Sequence, residues 1–279
     1  VSEPRHFSTW PPMSGEAELI DPAELREWIV FEDEDVLVID KPGWIVCHPS
    51  KNGPWSSLVG ACRELTGLET LHLVARLDRE TSGIVLIAKR PASARRLQMA
   101  FQERRVNKEY LAIMSGELTE LVTVNQPLAK DLESQVAARV TVRKSRSAQK
   151  AVTAFEPLAS GGGYTLVRVH PETGRKHQIR AHAFWLGHPI AGDKIYGPDD
   201  TLFLEFITEG WTPRLDAALP MRRQALHATS LTFDGGPQFR LPLAWDMAQF
   251  AREVMGIDID AYCAAPEVKK TAENYGFSS

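Results

Sequence analysis

Residues 148–170, AQKAVTAFEPLASGGGYTLVRVH, decide how this chain folds. Two runs rich in apolar and β-branched residues, 148–155 and 164–170, flank Gly161-Gly162-Gly163, which has the composition of a hairpin turn. A hairpin makes its two strands antiparallel. Working outward, strands fit 106–114, 136–142, 225–233 and 239–243, and 84–88 is a short apolar run typical of a buried strand. Residues 28–31 and 36–40 read as two more strands joined by the acidic turn Glu32-Asp33-Glu34-Asp35, and Lys41-Pro42-Gly43 starts another turn. Helical spacing appears at Leu58, Val59, Cys62 and Leu65, and after Pro91, where Ala94, Leu97 and Phe101 share one side. Ile179, Ala183 and Leu186 mark a third helix, beginning near Arg175. Strands in hairpin order with few interposed helices predict an α+β fold on a largely antiparallel sheet rather than a doubly wound one.

The chain has 279 residues, 43% of them apolar, enough for one large domain or two small ones. It contains no uninterrupted apolar stretch of roughly 18 to 20 residues, and its N-terminus lacks a basic region followed by an apolar one, so a cytoplasmic protein with no membrane partner is expected. Cys47, Cys62 and Cys263 are scattered without a CxxC pair, and the histidines form no HExxH pattern. Reduced, buried thiols and no metal are expected. The net charge of -4 hides local clustering. Segments 89–108, 139–150 and 168–180 hold seven, five and four of the 32 Lys and Arg residues, against only Glu103 and Glu172. Brought onto one face, they would form a phosphate-binding strip; left apart, they are ordinary solvated faces.

Chemistry concentrates in Arg76-Leu77-Asp78-Arg79-Glu80-Thr81-Ser82-Gly83, a charged segment between the apolar runs 71–75 and 84–88. A carboxylate at the end of a buried strand is expensive to desolvate unless it has a cationic partner or a chemical task. Asp78 is therefore the first candidate. Three other constellations accompany it: Asn107-Lys108-Glu109-Tyr110; His170-Pro171-Glu172-Thr173-Gly174-Arg175-Lys176-His177-Gln178-Ile179-Arg180, continuing through His188-Pro189-Ile190 to Gly192-Asp193-Lys194-Ile195-Tyr196-Gly197; and Leu226-His227-Ala228.

With Asp40-Lys41-Pro42-Gly43 and His48-Pro49, this ordered set resembles the RluA-type family of RNA pseudouridine synthases from about Trp28 to about Leu243. The resemblance implies a catalytic domain with a mixed, mostly antiparallel sheet flanked by helices, no cofactor, a monomer, and a tRNA or rRNA substrate. It implies an N-terminal extended arm over 1–27, the catalytic domain over 28–250 and a C-terminal extension over 251–279; the arm is too short for the S4 domain many relatives carry. Such enzymes detach uracil from its sugar and rejoin it through C5. The resemblance places the catalytic aspartate at Asp78. Breaking the N1–sugar bond needs a nucleophile at C1′ or at C6, or a base that removes a sugar proton, and an ionised carboxylate can do any of these.

The same resemblance makes Arg180 the cation that keeps Asp78 charged and sets Tyr110 against the target uracil, where stacking is worth on the order of 1 to 3 kcal/mol. It makes Leu226 the apolar wall of the uracil pocket, and Arg76 the side chain that takes the place of the extruded base. Thr81, Arg175, Lys176 and His177 fall on motif positions that face RNA. One departure stands out. The family usually has His before the arginine at position 76, and here Ala75 stands there, with His72 three residues too early to replace it.

Two other readings compete. The first is an RNA-binding or RNA-remodelling protein of the same fold in which modification is incidental or lost. The second is a glycosidase using Asp78 and Glu80, but carboxylates two residues apart on one loop do not straddle a substrate as that chemistry requires.

Overall fold

The computed structural model describes residues 19–48, 52–262 and 267–269. Among the described residues the first element is α1 (Pro22–Trp28), where the Asp21 side chain accepts from Ala23 N at 2.6 Å and proline occupies the first turn. The expectation of an extended arm is corrected here: aspartate at the N-cap and proline just inside are helix-start signals. Residues 1–18 of that arm lie outside the described residues. β1 (Ile29–Glu32) and β2 (Val36–Lys41) pair antiparallel, and the Asp33 carboxylate accepts from Asp35 N and Val36 N to close the acidic turn.

α2 (Leu58–Thr66) is capped by Ser57 and ends at Gly67, whose φ of 68° supplies a left-handed C-cap. Then come β3 (His72–Leu73), β4 (Ser82–Ala88), α3 (Pro91–Gln102) and β5 (Val106–Ser115). β6 (Val122–Asn125), β7 (Leu128–Lys130), β8 (Val140–Val142), β9 (Val152–Gly161) and β10 (Tyr164–Pro171) lead into α4 (Gln178–Trp185). α5 (Thr201–Glu209), α6 (Pro213–Ala218), β11 (Leu226–Phe233), β12 (Gln238–Arg240), α7 (Trp245–Glu253) and β13 (Glu267–Lys269) complete the order.

The architecture is α+β, with a mixed, mostly antiparallel sheet and flanking helices. Its residues fall into two compact units, divided within β5 between Lys108 and Glu109 and within β11 between His227 and Ala228. In the first unit, strands run in the order β1, β2, β4, β11, with β3 beside β4 and β12 beside β11. All seven residues of β4 are buried. Ala94, Leu97 and Ala100 of α3 pack on Val36, Val38, Ile84 and Leu86, with Phe101 edge-on to Phe233 at 6.2 Å, so the helix face read from the sequence is the one used. Burying a leucine such as Leu97 contributes about 1.5 to 3 kcal/mol.

In the second unit the order is β5, β10, β9, β6, all antiparallel. The β9–β10 hairpin turns through Gly162 and Gly163, both at positive φ, as the glycine run predicts. Ile179 and Ala183 of α4 and Met247 and Phe250 of α7 close on this sheet.

Several boundaries differ from the sequence reading. The strand expected over 136–142 is reduced to β8, because Ser134 Oγ accepts from Val136 N and Arg139 N bonds to Val136 O, a turn that outcompetes the ladder. β9 starts at Val152 rather than 148, since Gln149 exchanges two hydrogen bonds with Leu128 instead. α4 starts three residues late because His177 adopts a left-handed φ of 51°. Cys47 and Cys62 are buried and free, and burial, with the Glu32 charge adding, pushes the Cys62 thiol up to about 12. Cys263 lies outside the described residues. Among the described residues, no helix is long and apolar enough to cross a membrane.

Candidate active site

Asp78 sits on a loop of the first unit that joins β3 to β4, four residues before the strand the sequence seemed to end on it, and it is half-buried. The main chain on both sides of it is pinned to the turn after β2. Lys41, itself fully buried, donates from Nζ to the carbonyls of Pro42, Ile45 and Arg79 at 2.8, 3.0 and 3.1 Å. A buried ammonium is tolerable only when its protons are taken up in this way. Cys47 Sγ approaches Leu77 O at 3.5 Å, and Arg79 Nε donates to Trp44 O at 3.1 Å. Thr81 N donates to Asp78 O at 3.1 Å, which tightens the loop into a turn.

Thr81 and Ser82 are buried where β4 begins. At Gly83 a Cβ would stand 2.3 Å from Ala228 O, so only glycine lets β4 run this close to β11, and its φ of 109° also favours glycine. Arg76 and Ala75 are exposed on the same loop. His72 lies on β3, with its Nε2 buried and without a hydrogen-bond partner among the described residues.

The second unit carries the other predicted residues. After β10 the chain is stapled to β9 by Gln178. Its Oε1 accepts from Thr173 Oγ1 and Arg175 N at 2.6 and 3.0 Å, and its Nε2 donates to Val152 O and Thr153 Oγ1, both at 2.9 Å. This aims α4 and buries Arg180. Arg180 grips Asp193 through Nε and Nη2 at 2.6 and 2.9 Å, and Asp193 Oδ1 also accepts from Ile195 N and Tyr196 N at 2.9 and 3.0 Å. Burial alone would raise the Asp193 pKa. The charge and hydrogen bonds of Arg180, with the Tyr196 and Ile195 amides, outweigh it and hold the carboxyl below its ordinary value.

The Tyr196 ring is approached by two guanidinium groups, Arg180 at 5.2 Å and Arg139 at 5.3 Å. Its hydroxyl donates to Val140 O and accepts from Val140 N, both at 3.0 Å. His177 Nδ1 lies 3.2 Å from the same oxygen, whose proton is already committed, so Nδ1 is the donor there. Burial raises the Tyr196 pKa.

Arg175 and Lys176 are exposed on the loop before α4. Tyr110, in β5 opposite Val169 of β10, is partly buried against the core of this unit. Leu226, the first residue of β11, is buried in that core. Thus Arg76, Asp78 and Thr81 share one loop, and His177 and Arg180 share one network. Sequence reasoning quoted Asp193 and Tyr196 within a motif but singled out neither as a site residue. The signal was an aspartate followed closely by amides that can cap it, after Gly192. Among the described residues, no group of three or more His, Cys, Asp or Glu is placed to hold a metal ion.

The model of the RNA pseudouridylate synthase family matches residues 35–184, a span that includes Asp78, Tyr110 and Arg180. The chain is 34% identical over 234 residues to the uncharacterized RNA pseudouridine synthase YjbO of Bacillus subtilis (strain 168), covering 80% of this chain and 75% of that protein. It is 33% identical over 231 residues to ribosomal large subunit pseudouridine synthase D of Vibrio vulnificus (strain CMCP6), covering 79% and 68%. Among solved structures, human RNA pseudouridylate synthase domain containing 4 superposes with a TM-score of 0.64 at 26% identity, covering 84% of this chain and 95% of that one.

Proposed function

The chain belongs to the RNA pseudouridylate synthase family, and on that premise we propose that it isomerises selected uridines of tRNA or rRNA to pseudouridine, with Asp78 as the reacting carboxylate. In this reaction the bond from N1 to C1′ breaks, a bond from C5 to C1′ forms, C5 loses its proton and N1 gains one. No oxidant or reductant is needed.

The observation that carries the assignment is the Asp78 loop. Its main chain is pinned on both sides, at Leu77 and at Arg79, while the aspartate between them stays half-buried. That is how a reacting group is held to a narrow range of positions through its main chain.

The motif order supports an RluA-type member acting in the cytoplasm as a monomer without a cofactor. Arg180 is the cation that keeps Asp78 ionised, Tyr110 stacks on the uracil and Leu226 walls its pocket. Arg76 fills the gap left by the flipped nucleotide; its planar guanidinium can stack and bind phosphate at once, and its exposure on the loop fits that task. Arg175 and Lys176, both exposed, contact the RNA around the target, while Thr81, which is buried, and His177, which bonds to Tyr196, act on it through the loops they hold.

The test is release of tritium from tRNA and rRNA labelled at uracil C5 and lacking the modification. Wild-type protein should release it and Asp78→Asn should not. Binding of the same RNA without release by either protein would replace the isomerase with the RNA-binding reading.

A further inference from the structure

The second unit brings two of the three basic segments to a shared edge. Arg175 Nε, on the loop before α4, donates to Lys150 O at 3.2 Å. The chain leaves β8 at Val142, and Arg143 N bonds to Pro127 O at 3.1 Å. It then turns, with Ala148 N on Ser145 O, and returns at Gln149 to exchange hydrogen bonds of 2.9 and 2.8 Å with Leu128. Leu128 also pairs with Val142, so loop 143–148 passes from one side of β7 to the other with both ends fastened. This arm is bolted to α4 and its following turn. Tyr196 OH clasps Val140 N and O, and His182 Nε2 bonds to Gln126 O at 3.0 Å.

Arg143, Lys144, Arg146, Lys150, Arg175 and Lys176 are all exposed there. Arg143 reaches Glu133 only at 4.0 Å, and the other five form no ion pair among the described residues. The basic segment of the first unit is mostly paired, with Arg95 an exposed exception. Lys89 is paired with Glu32, Arg90 with Glu34 and Arg96 with Asp35. In the third segment Arg168 is likewise held by Glu109 and Glu156. Like charges gathered on a fastened backbone repel one another and contribute nothing to folding. Residues 139–150 contain no aromatic side chain, so the arm can neutralise phosphates but offers no ring on which to stack a base.

The geometry points to arm 143–150, together with Arg175 and Lys176, as a docking surface for the phosphate backbone of helical RNA, blind to base sequence. This rests on the reading of the protein as an RNA enzyme, and it adds Lys144, Arg146 and Lys150 as the residues that hold RNA flanking the target.

The experiment compares wild type, Lys144→Gln/Arg146→Gln/Lys150→Gln and Lys89→Gln/Arg90→Gln/Arg96→Gln. Each full-length protein is titrated with RNA hairpins of unrelated sequence between 50 and 200 mM salt. Each lost phosphate contact removes about 0.9 from the slope of log affinity against log salt, so the arm variant should lose about 3. Between those salt concentrations the wild type would then weaken about 40-fold more than the arm variant. The weakening at low salt should be equal for every hairpin, the melting temperature should hold, and the first-unit variant should keep the wild-type slope. An unchanged slope in the arm variant, or a loss confined to one sequence, overturns the proposal. The tritium assay separates the two readings. Binding with the expected slope change but no release sinks the isomerase alone, and release with an unchanged slope sinks the docking surface alone.

Discussion

Around Asp78, the first unit fixes the main chain. Lys41 holds the Arg79 carbonyl, Cys47 meets the Leu77 carbonyl, and the aspartate between them is half-buried. Around Asp193, the second unit fixes the carboxylate itself, with two bonds from Arg180, two from backbone amides and no exposed surface. The first arrangement limits where the Asp78 side chain can be by holding the carbonyls of its two neighbours. The second spends both oxygens on the fold. Burial, a cue that nominates an aspartate from sequence, describes Asp193 better than Asp78. The two aspartates thus differ in what is seen to be fixed: the neighbouring main chain at Asp78, the carboxylate oxygens at Asp193.

Exchanging the two roles by mutation is the sharpest way to break this comparison. Asp78→Asn should lower turnover by at least about 10³-fold, the scale of removing a group that reacts or moves a proton, while shifting the melting temperature by only a few degrees. If it unfolds the protein instead, Asp78 belongs with Asp193. Asp193→Asn should cost about 3 to 5 kcal/mol in denaturant unfolding, because it removes the buried charge that Arg180 grips with two hydrogen bonds. Replacing both partners, as Arg180→Met/Asp193→Leu, should recover much of that stability and none of the activity. A double variant no more stable than Asp193→Asn would show that the pair is not what the fold loses. Lys41→Met tests the main-chain clamp. It strips three carbonyls of their donor and should cost about 2 to 3 kcal/mol, with wild-type stability as the outcome that refutes the clamp.

The same distinction explains what could be read from the sequence. The β9–β10 hairpin was legible because glycines at 161–163 are a local signal for a local structure. So was α3, whose apolar face repeats within the helix. The start of α4 was not, because it depends on Gln178 reaching across to Val152 and Thr153, contacts 26 and 25 residues away in sequence. α5 was overlooked although its buried Leu202 and Phe206 recur at helical spacing; the Lys194 ammonium seated 4.8 Å from the Phe206 ring and 5.4 Å from that of Trp211 is a contact that no local pattern announces. Asp78, Tyr110 and Arg180 were nominated as members of an ordered motif set. Asp193 was passed over because its partner is 13 residues away and its other donors are backbone amides, to which side-chain patterns are blind. The basic segments were visible as charge. Which of them keep that charge unpaired depended on where Glu32, Glu34 and Asp35 fold.

Acid titration gives the finest test, because the second unit buries two groups that should fail in different pH windows. His182 is buried between β9 and the chain before β7. Its Nε2 faces a carbonyl, Gln126 O, and so carries the proton; Nδ1 accepts from Thr153 Oγ1 at 2.9 Å. Thr153 Oγ1 in turn accepts from Gln178, so every proton in the chain of bonds is assigned and the ring is neutral. Burial depresses the His182 pKa below its ordinary 6.5, more than the Gln126 hydrogen bond raises it. The unfolded chain therefore binds a proton below about pH 6.5 that the folded chain resists, and stability falls as pH drops through that range. Asp193 is also depressed, but its unfolded value lies near 3.8, so its contribution is intact through this window and is lost only at lower pH. Urea midpoints at pH 7.5, 6.5 and 5.5 should decline for the wild type and decline less for His182→Gln, while the two curves run parallel above pH 7. Equal declines would mean that His182 is not held neutral, and the hydrogen-bond chain that aims α4 would then have to be drawn differently.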